Sequence, residues 1–450
     1  MTDIGKQVGE WPEVGMGALP ISRRRRSRAV AVCLTLVVVM AACSSTRSAT
    51  TTSPQQSTTS TTQAPPTTIP ADAGTWRLTS VAPVSSDVPW SWTGTDLLVG
   101  GGGCCDDVGT VDLAAYAPAS DTWGRLPAPP LTPRGTAAGT WTGTEMVVAG
   151  GLASPDGAQH DASPATDGAA WDPTTGTWRP IAPLPVPLAG RTHDCFWNGT
   201  ELLVWSSVPT EGSTPGVEQF LAYNPASDSW RILPTSGLST RQGAVVVWAG
   251  TQLFVWGGLD ASQVPLADGA RFDPATSTWV RLPRAPVPAR GFAAAAWTGS
   301  QVLIWGGQTG TEGQVGQGVS YTPSTNTWQA LPLSPLRAKQ RPTGVWSGRF
   351  FYVIGGAAGS RGGDTWPAPG PGAAAYDPIT RVWTVLPAAP VDPSAPYRGN
   401  GPADNGPATQ RADAIGVWTG TSVLVVGGCN CCTQGHLAGG IMWTPRISRS

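Results

Sequence analysis

Seven copies of a Trp-x-Gly turn, each followed by a run of branched apolar residues, constrain the fold of this 450-residue chain more than any other feature. Six of the runs end in Gly-Gly, and the third carries Ser206-Ser207 instead. The copies begin at Trp92, Trp141, Trp197, Trp248, Trp297, Trp346 and Trp418. A repeat of about 50 residues built from short strands predicts a propeller or a solenoid rather than one globular core.

A second signature follows the apolar runs and defines the rest of each repeat. It is an aromatic residue, then Pro two positions later and Trp seven positions later, with turn formers between them. The aromatic pairs are Tyr116 and Trp123, Trp171 and Trp178, Tyr223 and Trp230, Phe272 and Trp279, Tyr321 and Trp328, and Tyr376 and Trp383. Each repeat therefore predicts four short strands, a to d. Strand a leads into the Trp-x-Gly turn, strand b is the apolar run, strand c ends at the first aromatic residue, and strand d holds the second.

The two ends of the repeat array complement each other. The last copy has strands a to c, up to Pro445, whereas residues 74–83 form a strand d around Trp76 with no strands before it. We expect the N-terminal strand to complete the last sheet, which removes an open edge. The sequence thus predicts an all-β fold, a seven-bladed β-propeller of four-stranded blades. The apolar run, Gly-Gly, aromatic residue and Trp resemble the kelch repeat over residues 74–450, as in the central domain of galactose oxidase.

The N-terminal segment has the pattern of a targeting signal. Arg23 to Arg26 and Arg28 precede an apolar stretch of 14 residues, Ala29 to Ala42, shorter than the roughly 20 residues that span a bilayer. Small residues stand immediately before Cys43. Residues 1–43 therefore resemble a bacterial lipoprotein signal, which implies that Cys43 is lipidated. An ordinary cleaved signal and an uncleaved anchor are the alternatives.

A Ser/Thr/Pro/Gln-rich segment, residues 44–73, separates the signal from the repeats. It contains too little apolar surface to offset the entropy of ordering, so it predicts a disordered tether. We expect an extracytoplasmic, monomeric propeller, residues 74–450, anchored to the cell membrane by its N-terminal lipid. The net charge of -1 gives no electrostatic reason to expect nucleic-acid binding or membrane binding by other means.

Strand direction separates two faces of the propeller. Because the strands are antiparallel, the a–b and c–d turns share one face, here called the turn face. The b–c and d–a connections share the other, here called the loop face. The turns are short and nearly identical, whereas the loops vary in length. Binding residues concentrate in variable loops on a rigid scaffold, so we expect function on the loop face.

Arginines recur at the start of strand a, on the loop face. Four of them stand seven residues before the strand-a Trp, while Arg191 and Arg341 are one and two residues out of register. The four are Arg134, Arg241, Arg290 and Arg411. Their rigid donor forks suit carboxylates, and arginines at this position contact acidic peptides in kelch adaptor proteins, so the resemblance implies a ligand-binding role. The alternative is structural, with each Arg bonded to backbone carbonyls of the neighbouring blade.

Cysteines cluster in two loops that the predicted ring closure makes neighbours. Cys104 and Cys105 follow strand b of the first repeat, and Cys429, Cys431 and Cys432 follow strand b of the last. Outside the cytoplasm these cysteines predict a disulfide across the seam. A soft-metal site is the alternative, although the spacing is not a standard zinc pattern. We expect no metal and no cofactor.

The sequence offers few candidate catalytic groups. His160, His193 and His436 fall in different repeats. His193-Asp194 is adjacent in sequence, but neighbours on a strand point to opposite faces. The adjacent Tyr-His of kelch-type copper oxidases is missing.

We therefore expect a binding module for a protein segment or a cell-envelope glycan. The alternatives are a sugar-modifying enzyme, such as the sialic-acid epimerases that use kelch propellers, and a structural envelope protein. Convergence of His193, Glu312 or Asp107 near the arginines would favour the enzyme.

Overall fold

The computed structural model divides the chain into two units, Met1–Thr62 and Gln63–Ser450, and every described residue lies in the second unit. The described residues are 67–68, 74–84, 90–100, 112–154, 162–190, 193–210, 212, 214–310, 313–357, 371–392, 411–428 and 439–446. The predicted signal and most of the predicted tether lie outside them. No helix among the described residues is long and apolar enough to cross a membrane.

Seven sheets among these residues each pair four antiparallel strands in the order a-b-c-d, and we number them blades 1 to 7. Blade 1 contains Trp90–Trp92, Leu97–Gly100, Leu113–Ala117 and Thr122–Arg125. Blade 2 contains Ala138–Trp141, Met146–Ala149, Gly168–Asp172 and Thr177–Ile181. Blade 3 contains Asp194–Trp197, Leu202–Val208, Val217–Asn224 and Ser229–Ile232. Blade 4 contains Val245–Ala249, Gln252–Trp256, Gly269–Asp273 and Thr278–Arg281.

The remaining blades follow the same order. Blade 5 contains Ala294–Trp297, Val302–Trp305, Gly318–Thr322 and Thr327–Ala330. Blade 6 contains Thr343–Trp346, Phe351–Ile354, Ala373–Asp377 and Val382–Val385. Blade 7 contains Ile415–Trp418, Val423–Val426, Gly440–Pro445 and, as strand d, Gly74–Leu78.

Hydrophobic clusters join each blade to the next and close the cycle. For example, Leu97 and Val99 of blade 1 pack with Leu424 and Val426 of blade 7, and equivalent clusters join the other neighbouring pairs. A closed cycle of four-stranded sheets is a β-propeller. The predicted all-β propeller fold is confirmed.

The strand-d tryptophans add a hydrogen bond between neighbouring blades. Each indole N–H donates to a backbone carbonyl just after strand d of the preceding blade, at 2.7 to 3.1 Å. The donor and acceptor pairs are Trp76 to Pro387, Trp123 to Ser80, Trp178 to Pro127, Trp230 to Ala182, Trp279 to Pro234, Trp328 to Pro283 and Trp383 to Pro332. These bonds explain why Trp recurs in strand d. They also explain why the segments that follow strand d are similar from blade to blade, since each supplies the acceptor carbonyl.

The N-terminal strand closes the propeller as predicted. Gly74–Leu78 pairs antiparallel with strand c of blade 7, so that Trp76 lies opposite Trp443. The two indole rings are 5.1 Å apart between their centres. Two residues of the predicted tether are also in a strand, because Thr67–Thr68 pairs parallel with Thr384 and Val385 of blade 6.

Strand a lies innermost in the propeller, because the strands a of most neighbouring blades pack against one another. All seven Trp-x-Gly turns that follow strand a place their glycine at a φ between 75° and 106°, a conformation that favours glycine. The turn face is therefore uniform. On the opposite face, the segments that precede strand a surround the propeller axis.

Candidate functional site

The four arginines that stand seven residues before a strand-a Trp, here called the register arginines, are buried among the backbone groups of the loop face. Their side chains are only 1% exposed. In each, Nη1 donates to the carbonyl of the first glycine of the Gly-Gly pair, at 2.9 to 3.2 Å. These bonds run from Arg134 to Gly150, from Arg241 to Gly257, from Arg290 to Gly306 and from Arg411 to Gly427. The same Nη1 also donates to the carbonyl of the residue before strand c.

These bonds hold together strands b and c of the arginine's own blade. The geometry agrees with the structural alternative, except that the acceptors belong to the same blade and not to the neighbouring one. Nearly all donors of Arg134, Arg241 and Arg411 point to protein acceptors, so these three side chains do not form an open anion-binding ring. None of the three side chains has an exposed group that could make the predicted contact with a ligand.

Carboxylates accompany three of the arginines. Asp167 accepts hydrogen bonds from Nη1 and Nη2 of Arg134, at 2.7 and 2.9 Å, and this bonding lowers the pKa of the Asp167 carboxyl. Asp268 accepts from Arg241 at 3.0 Å. Asp392, itself buried, accepts from Arg411. Two of the sequence's Asp-Gly pairs, at Asp167 and Asp268, are thus counter-ions of buried arginines.

Blade 6 carries Lys339 in place of the register arginine. Gly307 N–H donates to the Lys339 carbonyl at 2.8 Å, as Gly258 N–H does to the Arg290 carbonyl at 2.8 Å. The Lys339 ammonium donates to the carbonyl of Gly372 at 3.4 Å, just before strand c. Burial lowers the pKa of Lys339 to about 8. Arg341, which the sequence places two residues out of register, therefore occupies a different position from the four arginines.

Arg341 belongs to a second set of equivalent positions, five residues before the strand-a Trp, that we call the axial ring. Its described members all have φ between 54° and 62°. They are Thr136, Gly243, Phe292, Arg341 and Asp413. Backbone hydrogen bonds link four of them across three blade boundaries: Phe292 N–H to Gly243 O at 2.7 Å, Arg341 N–H to Phe292 O at 2.8 Å, and Asp413 N–H to Arg341 O at 3.2 Å.

The side chains of three axial-ring residues form a continuous charged and aromatic surface. The Arg341 guanidinium carbon lies 3.9 Å from the centre of the Phe292 ring, within cation–π distance. Its Nη1 donates to Asp413, whose side chain is 46% exposed. A Cβ on Gly243 would lie 2.6 Å from the Phe292 ring. Any residue larger than glycine at position 243 would therefore collide with the Phe292 side chain. The axial ring thus presents an aromatic ring, a cation and a carboxylate side by side.

Blade 3 places two partly buried ionisable residues where blade 2 has alanines. His193 and Asp194 occupy positions filled by Ala137 and Ala138 in blade 2. Burial lowers the pKa of His193 to about 4, and the nearby backbone of Thr136 opposes this shift only in part. Burial alone raises the pKa of Asp194 to about 7.

His193 and Asp194 lie on opposite sides of strand a. Cys195 packs in the cluster between blades 2 and 3, whereas Phe196 packs in the cluster between blades 3 and 4. By alternation His193 shares the side of Cys195, and Asp194 shares the side of Phe196. The two residues do not form a catalytic pair.

The remaining predicted site residues fall outside the described part of the chain. These are Cys43, Cys104, Cys105, Cys429, Cys431 and Cys432, together with Asp107 and Glu312. Blades 1 and 7, which carry the two cysteine-containing loops, are neighbours, and the seam disulfide stays a prediction. Within the described ranges, no group of three or more His, Cys, Asp or Glu side chains could hold a metal ion.

Comparison with known proteins identifies the type of repeat. Residues 192–401 match the family model described as KLHDC2/KLHL20/DRC7 Kelch-repeats domain. Among solved structures, the chain is similar to one described as a novel fungal alcohol oxidase with catalytic diversity among the AA5 family, in complex with copper. The TM-score is 0.56 at 14% identity, over 83% of this chain and 77% of that one, which concerns the fold alone. No curated protein sequence matches. The chain contains a kelch-repeat β-propeller.

Proposed function

We propose that this protein is an extracytoplasmic, lipid-anchored binding module that holds a segment of another protein at its axial ring. The kelch-repeat propeller fold favours a protein-binding module. A cell-envelope glycan is the second ligand class that the sequence predicts. The adjacent cation, carboxylate and aromatic ring favour a polypeptide, because a polypeptide supplies side chains that complement all three.

One observation carries this proposal: the axial ring combines a constant backbone with different side chains. Its described members share one left-handed conformation, and backbone hydrogen bonds link four of them, yet they are Thr, Gly, Phe, Arg and Asp. A non-glycine residue costs about 1–3 kcal/mol in such a conformation, so glycine throughout would strain the backbone least. Side-chain variety on a rigid frame is what a recognition surface requires.

Charge reversal at the axial ring tests the proposal. Full-length protein with Arg341→Glu should lose capture of its envelope partner, because the change removes the cation beside Phe292 and places a carboxylate next to Asp413. The matched control is Arg231→Glu, which reverses an exposed arginine of blade 3 that pairs with Glu201 by the turn face at 2.8 Å. Captured material is identified by mass spectrometry, with and without protease digestion and deglycosylation.

The proposal requires capture by wild type and Arg231→Glu and loss with Arg341→Glu. Equal capture by all three proteins would show that the axial ring does not bind the partner. Capture that resists protease but not deglycosylation would assign the ring to a glycan instead of a protein segment.

The membrane anchor has a separate test. Lipid labelling should modify the wild-type protein and not a Cys43→Ala variant, and that variant should leave the membrane fraction. Labelling that persists in the variant would rule out lipidation at Cys43.

A further inference from the structure

Blade 6 has a fifth strand on its outer side. Thr67–Thr68 lies beside strand d, Val382–Val385, and pairs with it in parallel, with Thr67 opposite Thr384 and Thr68 opposite Val385. In each of the other six blades, strand d is the outermost strand among the described residues. The outer edge of strand d in blade 6, here called the blade 6 edge, therefore accepts an extended segment of the same chain.

Charged side chains protect most of the other outer edges. The outermost strand of a sheet presents N–H and C=O groups that another strand can pair with, and proteins commonly block such pairing with charged residues. In five of the other six blades, strand d contains an arginine. These arginines are Arg77 in blade 7, Arg125 in blade 1, Arg179 in blade 2, Arg231 in blade 3 and Arg281 in blade 4.

Strand d of blade 6 has no such charge. It reads Val-Trp-Thr-Val, residue types that favour strands, and Val382 is 45% exposed. Thr384 stands directly after the strand-d Trp, where blades 2 and 3 have Arg179 and Arg231. Strand d of blade 5 is also uncharged, but it has Gln and Ala where blade 6 has Thr and Val, and these favour strands less. The blade 6 edge is therefore the outer edge most prone to pair with another strand.

The sequence around Thr67–Thr68 suits a strand that covers an edge without extending the sheet. Pro65 and Pro66 precede it, and Pro70 follows two residues after Thr68. Proline has no N–H to donate, and within sheets it is confined mainly to edge strands. Proline-rich segments also favour extended conformations, which reduces the entropy lost when such a segment docks. A short pairing can therefore form at this point and end the sheet.

We propose that Thr67–Thr68 is a strap that covers the blade 6 edge and prevents one propeller from pairing with another. The occupant of the edge is this segment of the same chain. When the strap is released, the blade 6 edges of two copies pair with each other, because a surface that binds its own copy forms a closed two-fold dimer. The blade 6 edge lies on the outermost strand, whereas the axial ring precedes the innermost one, so this inference does not rest on the proposed binding function.

Two double variants of the full-length protein in detergent test the strap. Thr67→Pro with Thr68→Pro, the strap variant, removes both backbone donors from the strap. Thr61→Pro with Thr62→Pro is the matched control, because it makes the same change in the same Ser/Thr/Pro-rich segment. Hydrogen–deuterium exchange at low protein concentration measures the protection of Val382–Val385, and sedimentation over a concentration series measures association. Adding Thr384→Arg to the strap variant restores the edge charge of blades 2 and 3.

Val382–Val385 should exchange about tenfold faster in the strap variant than in wild type and the control, since exchange follows the local opening of the strand. The strap variant alone should dimerise as its concentration rises, and adding Thr384→Arg should return it to the monomer. Unchanged exchange of Val382–Val385 would show that the strap does not cover the edge. A strap variant that stays monomeric, or a dimer that persists with Thr384→Arg, would show that propellers do not pair through the blade 6 edge.

Discussion

Replacing Asp194 with Ala should stabilise the propeller, and the gain should be largest at alkaline pH. Asp194 begins strand a of blade 3, where blades 2 and 5 carry Ala138 and Ala294, so the fold accepts Ala at this position. Burial alone raises the pKa of the Asp194 carboxyl from 3.8 to about 7. The folded state therefore disfavours the ionised carboxylate.

The sign and size of the effect follow from proton linkage. Between pH 3.8 and 7 the folded state keeps a proton that the unfolded state releases, so stability falls as the pH rises through this window. A shift of about 3 pKa units corresponds to about 4 kcal/mol when the pH is well above 7. At pH 5.5 the same arithmetic gives about 2 kcal/mol. Asp194→Ala should be more stable than wild type by at most these amounts, because Asp194 keeps part of its surface in solvent.

The assay is urea denaturation of the full-length chain at pH 5.5, 7 and 8, followed by tryptophan fluorescence. His193 titrates in the opposite sense over part of this range, since burial lowers its pKa to about 4, but it is present in both proteins and cancels in their difference. Asp194→Asn is the matched variant, because it removes the charge and keeps the volume. The reasoning fails if Asp194→Ala is no more stable than wild type at pH 8, or if the difference does not change with pH.

Three other perturbations have defined outcomes. Because burial lowers the pKa of Lys339 to about 8, stability should rise by up to about 3 kcal/mol as the pH increases from 8 to 10.5; Lys339→Met should remove this rise in urea denaturation, and an unchanged pH dependence would contradict it. Asp392→Ala leaves Arg411 without its buried carboxylate and should cost about 3–5 kcal/mol, and a loss below 1 kcal/mol in the same assay would refute the pairing. Deleting Gly74–Leu78 exposes strand c of blade 7 and should make blade 7 the first site of limited proteolysis, whereas a wild-type digestion pattern would show that this strand does not close the propeller.

The fold could be predicted from the sequence because each repeat carries its own turn and packing signals. The Trp-x-Gly glycines mark turns that require positive φ, and the strand-d tryptophans mark bonds between blades. Closure by Gly74–Leu78 could also be predicted, since the first and last repeats lack complementary strands. The pairing of Thr67–Thr68 with blade 6 could not, because two threonines in a polar segment have no pattern that distinguishes them from their neighbours.

The role of the arginines was harder to predict, since their spacing gives position but not burial. The carboxylate partner of Arg134 lies 33 residues away, whereas that of Arg241 lies 27 residues away. Loops of unequal length separate each pair, so no fixed spacing links Arg to Asp. Sequence alone could not show that Asp167 neutralises Arg134 while no carboxylate among the described residues pairs with Arg290.

The axial ring was missed for a different reason. Its position is defined by backbone conformation and by a fixed distance of five residues before the strand-a Trp, and its five described members are five different residue types. A search for recurring residue types cannot find such a position. Counting back from Trp346 would have placed Lys339 with the register arginines and Arg341 in the axial ring.

Hydrogen–deuterium exchange of the full-length protein, with and without the partner that it captures, tests the central claim most directly. We predict slower exchange on binding in the loop-face segments that contain Phe292, Arg341 and Asp413, with unchanged exchange in the Trp-x-Gly turns. Protection confined to the turn face or to the outer strands d would contradict the assignment of function to the axial ring.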